Sequence, residues 1–127
     1  MGIIARMRRQ NAIYWPPGAY DGFGNPAMGA LVELTLAGGT NNRVRWEEST
    51  QEFQTRDGTV QQSMAVVYVP VLPGGGEVQE GGYLWLGNRA DLTDEDDPRL
   101  NPGAYAVRRF DKLPTLKATE YLRTVYL

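Results

Sequence analysis

The chain contains neither cysteine nor histidine in its 127 residues. Lack of cysteine excludes a disulfide staple, a thiolate nucleophile and any thiolate-held zinc or iron–sulfur centre. Lack of histidine removes the usual proton shuttle near neutral pH, so a serine nucleophile would need Lys or a carboxylate as its base. Ser49 and Ser63 are the only serines, and neither sits in a Gly-x-Ser-x-Gly elbow or a Ser-x-x-Lys pairing. No apolar run approaches the roughly 20 residues of a membrane span. The stretch Met1-Gly2-Ile3-Ile4-Ala5-Arg6 lacks the pattern of a secretory signal, and a cytoplasmic site of synthesis is expected. Excess charge is also missing: the net charge is -2, which implies no global attraction to nucleic acid or an anionic membrane. These absences predict a protein that is not an enzyme and that needs no metal or cofactor.

What is present reads as one folded domain. The hydrophobic fraction is 42% and the charged fraction 22%, ordinary for a globular chain of single-domain length. Residues 1–11 form a basic N-terminal arm carrying Arg6, Arg8 and Arg9, expected to dock on a neighbouring subunit rather than on nucleic acid. Tyr14-Trp15-Pro16-Pro17-Gly18 is extended because adjacent prolines exclude helix. Leu31–Leu36 is β-prone, and Gly38-Gly39-Thr40-Asn41-Asn42 is a turn cluster. Asp57-Gly58 is the strongest hairpin signal, placed between a strand ending near Phe53 and a strand over Gln61–Val71. In that second strand Ala65, Val67, Val69 and Val71 share one face, and Met64, Val66 and Tyr68 the other. A strand apolar on both faces must be covered on both, and a neighbouring subunit is the expected second cover. Tyr83-Leu84-Trp85-Leu86-Gly87 shows the same pattern. Ala104–Phe110 reads as a strand and the tail from Leu116 to Leu127 as a final one. The expected fold is therefore all-β: a small, sandwich-like β-barrel with long loops and extended terminal arms. Its expected core includes Trp46, Val67, Val69, Leu84, Leu86 and Val107.

The patterns that could carry chemistry fail on inspection. Gly74-Gly75-Gly76 is followed by Glu77-Val78-Gln79, not by the Lys-Ser/Thr pair of a phosphate loop. The acidic run Asp91, Asp94, Glu95, Asp96 and Asp97 has no central glycine or terminal Glu in calcium-loop spacing, and Pro98 follows it. A solvated or partner-facing acidic loop is the expectation there. Trp15, Trp46 and Trp85 are expected as core residues or interface anchors.

Several segments, in order, resemble the small head-completion, or stopper-type head–tail connector, proteins of long-tailed bacteriophages and prophages. They are Ala12-Ile13-Tyr14-Trp15, Arg45-Trp46-Glu47-Glu48 leading to Glu52-Phe53, Asp57-Gly58, and Ala65-Val66-Val67-Tyr68-Val69. Gly82-Tyr83-Leu84-Trp85-Leu86-Gly87, Arg109-Phe110-Asp111-Lys112-Leu113-Pro114-Thr115-Leu116 and Thr119–Leu127 complete the series. The resemblance implies a structural virion protein, a β-barrel subunit of a homo-oligomeric ring at the head–tail neck. The ring's partners would be the portal-adaptor ring and the tail-terminator proteins, with packaged double-stranded DNA passing through its channel. Such a ring closes the DNA exit and offers the tail its docking surface, after assembly in the bacterial cytoplasm and away from any membrane. The expected channel gate is Pro73-Gly74-Gly75-Gly76-Glu77-Val78-Gln79-Glu80-Gly81-Gly82, a loop with glycine at both ends. The hairpin tip with Arg56, Asp57 and Gly58 is the alternative gate. A small β-barrel module that binds nucleic acid or oligosaccharide is the alternative function.

Overall fold

The computed structural model describes residues 8–20, 26–37, 40–48, 50, 52–54, 57–73, 75–114 and 121–127. The chain is all-β. In order its strands are β1 (Ala12–Trp15), β2 (Pro17–Tyr20), β3 (Pro26–Met28), β4 (Val32–Leu34), β5 (Leu36–Ala37), β6 (Thr40–Asn41) and β7 (Arg45–Glu47). There follow β8 (Glu52–Gln54), β9 (Val60–Gln62), β10 (Val66–Val69), β11 (Tyr83–Leu86), β12 (Tyr105–Ala106), β13 (Arg109–Pro114) and β14 (Tyr121–Tyr126). Short 3-10 turns at Arg89–Asp91 and Pro98–Leu100 interrupt the connection between β11 and β12.

Two four-stranded antiparallel sheets carry the fold, with strand orders β12-β11-β1-β4 and β13-β14-β10-β7. They meet at two corners. Tyr105 and Ala106 pair with β11, and from Arg109 the same run of chain pairs with β14, so one bent stretch serves both sheets. Val107 sits at the bend, donating to Gly82 O at 2.8 Å and accepting from Gly81 N at 3.0 Å. The second corner is the bridge between Gln10 and Val44, with bonds of 2.9 and 2.8 Å just ahead of β1 and β7. Elsewhere the sheets keep separate ladders. Among the described residues the result is a sandwich joined at its corners, without a closed barrel.

The alternation of side chains builds one core between the sheets. Ala12, Tyr14, Leu34 and Leu84 enter from the first sheet, and Trp46, Val67, Val69 and Val125 from the second. Val78 and Val107 close the sides. Of the expected core residues Leu86 alone lies outside, 37% exposed at the end of β11. The expected strand over Gln61–Val71 is two strands, because β9 pairs with β8 while β10 pairs with β14 and β7. Between them Met64 N donates to Leu127 O, and Leu127 N to Ala65 O, at 2.7 and 3.0 Å. The Asp57-Gly58 hairpin does form, with Glu52 opposite Gln62 and Gly58 at a φ of 87°.

Part of the outer face of each sheet is covered by the chain itself, while Met64 on the expected two-faced strand stays 61% exposed. On the outer face of the second sheet Val66 stands opposite Tyr126 and is buried. The β8–β9 hairpin folds over this point, where Phe53 stacks on Tyr126 with ring centroids 5.4 Å apart. Arg108 clamps the hairpin down: its guanidinium lies 5.0 Å above the Phe53 ring and donates to Gln61 Oε1, Gln62 O and Leu127 O. Arg109 adds a bond to Gln54 O at 2.6 Å. On the outer face of the first sheet Ile13 and Trp15 are fully buried, and the connection after β11 supplies the lid. Trp15 Nε1 donates to Glu95 O at 2.8 Å, and Trp85 Nε1 to Pro102 O at 2.9 Å. Each sheet therefore carries a layer made of hairpin or loop. Changing Phe53 to Ala removes the ring that holds the hairpin, and should cost about 3 kcal/mol. Denaturant unfolding measures the loss, and limited proteolysis should show the hairpin cleaved before the rest of the domain.

Candidate functional site

The acidic connection is organised by a residue that the sequence pattern does not single out. Asn101 is buried, and its Oδ1 accepts from Thr93 N and Asp94 N at 2.8 and 2.9 Å. Its Nδ2 donates to Asp94 O and Asp97 O at 2.7 and 3.2 Å. One amide side chain thus fastens both ends of the loop. The carboxylates are engaged locally: Asp94 Oδ1 accepts from Asp96 N and Asp97 N, and Asp97 Oδ1 from Arg99 N and Nε. Glu95 forms a two-pronged pair with Arg89 at 2.9 and 3.1 Å. Among the described residues no group of three acidic side chains is placed to hold a metal ion. The hydrogen bond from Arg89 holds the Glu95 carboxyl below its ordinary value, and that from Arg99 does the same for Asp97. An open recess of about 520 Å³ beside this loop is lined by Met28, Gly29, Ala30, Leu31, Arg89, Glu95 and Asp96.

The residues expected in the subunit-contact arm and in the gates fall into separate places. Arg6, Arg56 and Gly74 lie outside the described residues. Arg8 does not belong to a free arm: it is buried against its own domain, donating to Arg43 O at 3.1 Å, while its carbonyl accepts from Asn41 Nδ2. The reason is the Gln10–Val44 corner, which draws the preceding residues against 41–43. Arg9 is exposed. Asp57 and Gly58 sit at the exposed tip of the β8–β9 hairpin.

The loop over residues 73–82 is fastened along much of its length. Leu72 N donates to Gly76 O and Gly75 N to Leu72 O, both at 2.8 Å, so the chain turns tightly between Leu72 and Gly76, with Gly75 and Gly76 exposed. After it Glu77 pairs with Arg123, Val78 enters the core, and Gln79 N donates to the Tyr14 hydroxyl at 2.9 Å. Burial of that hydroxyl pushes the Tyr14 pKa up. Gly81 is exposed, whereas Gly82 is packed in place: a Cβ there would lie 2.6 Å from Trp15 O and 2.8 Å from Tyr14 Cε1. Gly82 thus serves close approach, and its position is not that of a hinge. Glu80 is half-buried beside Phe110, along an open recess. A flap swinging as a whole from 73 to 82 would have to pull Val78 from the core.

The structure also shows a surface to which no sequence motif points. β13 and β14 pair over six positions, from Arg109–Tyr126 to Pro114–Tyr121. Only the first half of this ribbon rests on the core, through Phe110 and Val125. The second half is two-faced. Leu113 stands opposite Leu122 on the outer side, and Leu113 is 58% exposed. Lys112 stands opposite Arg123 on the core side, with Tyr121 beyond them, 41% exposed. Lys112 Nζ lies 4.5 Å from the Tyr121 ring centre, and the Arg123 guanidinium 5.7 Å. The period-two alternation of Lys112-Leu113 against Tyr121-Leu122-Arg123 is the signal that could have revealed this arm. The two expected gates bracket it, the hairpin through Phe53 on the outer face and the glycine loop through Glu77 on the inner one.

No family profile, curated protein or solved structure matches the chain. Among the described residues no helix is long and apolar enough to cross a membrane.

Two outcomes follow from the acidic loop. Replacing Asn101 by Ala removes four hydrogen bonds to part-buried backbone groups and should cost about 2 kcal/mol, read by thermal or denaturant unfolding. Glu95 and Asp97 titrate lower in the folded chain than in the unfolded one. Their contribution is therefore complete above the ordinary carboxylate range and is lost as pH falls through the lowered values. Protection of the amides in residues 93–101 against exchange should hold above the ordinary carboxylate range and fall as pH drops below it.

Proposed function

We propose that the chain is a structural subunit of a ring at the head–tail neck of a long-tailed phage, where it closes the DNA exit channel and provides the docking surface for the tail. The observation that carries this function is the β13–β14 arm. A two-stranded ribbon that leaves its sheet with Leu113 exposed on one face calls for a protein cover that the described residues do not supply. A second copy of the subunit is the natural cover. A head-to-tail contact repeated by rotation closes into a ring. The virion is the proposed location, with the portal-adaptor ring and tail-terminator proteins as neighbours and packaged DNA in the channel.

Within this proposal the gate is narrower than the full glycine loop. Pro73–Gly76 can move while Val78 and Gly82 hold the body together, so the moving part is the tight turn. The rival function, a nucleic-acid or oligosaccharide module, needs exposed aromatic platforms. Trp15 and Trp46 are buried and the indole N–H of Trp85 is spent on Pro102, which leaves Tyr121, 41% exposed, as the one open ring among the described residues. These placements favour the structural subunit.

Electron microscopy of purified protein, alone and with its adaptor ring, tests the proposal. Wild type should give closed rings with a central channel, and a persistent monomer under all these conditions would refute it. Leu113→Asp should abolish ring formation while leaving the monomer's circular dichroism and melting unchanged within about 0.5 kcal/mol, as expected of an exposed position. In particles, replacing residues 73–76 by a two-residue turn should allow assembly and packaging but let DNA escape before the tail attaches.

A further inference from the structure

We propose that Lys112 and Arg123 form a binding site for the phosphate backbone of duplex DNA, occupied in the resting subunit by the carboxylate of Glu77. The geometry is that of a resident competitor. Lys112 and Arg123 are cross-strand partners on the same face of the β13–β14 arm. Glu77 reaches up between them from the end of the glycine turn. Both its oxygens accept from Arg123 Nε, at 3.0 and 2.8 Å, and Oε1 lies 3.8 Å from Lys112 Nζ. Two cations face one carboxylate, so the cluster keeps a net positive charge. The Tyr121 ring, against which both cations rest, fixes their positions at the rim of the domain.

A phosphodiester has the same charge as Glu77 and the same capacity to accept from a guanidinium. Glu77 is 31% exposed and follows a closed turn of small residues, so its side chain can rotate away without unseating Val78. Arg123 is only 13% exposed, held among the Glu77 carboxylate, the Tyr121 ring and Tyr121 O, to which its Nη1 donates. Exchange of Glu77 for phosphate would therefore uncover a cation pair at the moment DNA arrives. It would also release the end of the Pro73–Gly76 turn. The biological setting rests on the proposed DNA channel, but binding itself requires only the single subunit.

The experiment uses the monomeric chain and a mixed-sequence DNA duplex of about 20 base pairs, titrated at several salt concentrations. Glu77→Gln should bind about tenfold more tightly than wild type at low salt. Its plot of log affinity against log salt should steepen by about 2, one unit for each uncovered cation. Adding Lys112→Gln to Glu77→Gln should take back half of that slope without touching the buried part of Arg123. In wild type, duplex should speed amide exchange at residues 75–77. Unchanged affinity and slope in Glu77→Gln would overturn the site. So would a slope gain that Lys112→Gln leaves whole, since binding would then lie elsewhere. If inorganic phosphate at equal charge competes the duplex away, the site is for free anions and the DNA assignment fails. Ring formation is scored separately by microscopy, so loss of the neck function and loss of this site give different results.

Discussion

Two strands that are apolar on both faces govern this fold. β1 and β10 each lie inside their sheet, and each buries side chains above and below it. The core between the sheets covers only one face of each. A chain of 127 residues has too few elements to build complete outer sheets. It covers the remaining faces with its connections: the β8–β9 hairpin over Val66 and Tyr126, and the Asn101 loop over Ile13 and Trp15. Connections normally run over the surface because their backbone groups need water. Here they can serve as layers because their polar groups are satisfied from within, by Asn101 in one case and Arg108 in the other.

The same economy explains where the charged residues went. Arg108, Arg109 and Arg8 donate to backbone carbonyls of distant segments, and Arg89 and Arg99 hold the acidic loop. Exposed ion pairs add little stability in themselves. The value of Arg8, Arg108 and Arg109 is in position, since their guanidinium groups reach backbone carbonyls of distant segments. In the outer half of the β13–β14 arm, by contrast, cations and apolar groups meet solvent on opposite faces. That difference separates the part of the molecule occupied with folding from the part open to other molecules.

The all-β class was legible in the short apolar runs and the Asp57-Gly58 turn, because those signals are local. Trp46, Val67, Val69, Leu84 and Val107 were legible as core for the same reason: period-two alternation needs no knowledge of partners. Leu86 obeys the alternation yet lies at a strand end where the sheet stops covering it. The identity of the second cover was not legible, since it depends on which distant segment folds back, and Phe53 carries no mark of that role. The break at Ser63–Ala65 was hidden because one apolar run served two different ladders. Of the site residues, the glycine loop was visible through composition. The pairing of Glu77 with Arg123 joins positions 46 apart in sequence and follows from the sheet register alone.

The corner at Val107 also sets the order in which the molecule can be made. β1 pairs with β4 early, but its other neighbour is β11, and Trp15 meets its hydrogen-bond partner 80 residues later. β10 is completed later in the chain still, by β14. Arg108 takes hold of the hairpin only when Leu127 is there to share it. Contacts so far apart make folding slow, since loop closure must be met before any burial rewards it. Emergence from the ribosome therefore leaves the second sheet open along β10 until the last strand arrives, with its apolar edge exposed to other nascent chains. The arm that the finished subunit offers to its neighbours is made by that same last strand, so a chain cannot present it before its own core is able to close.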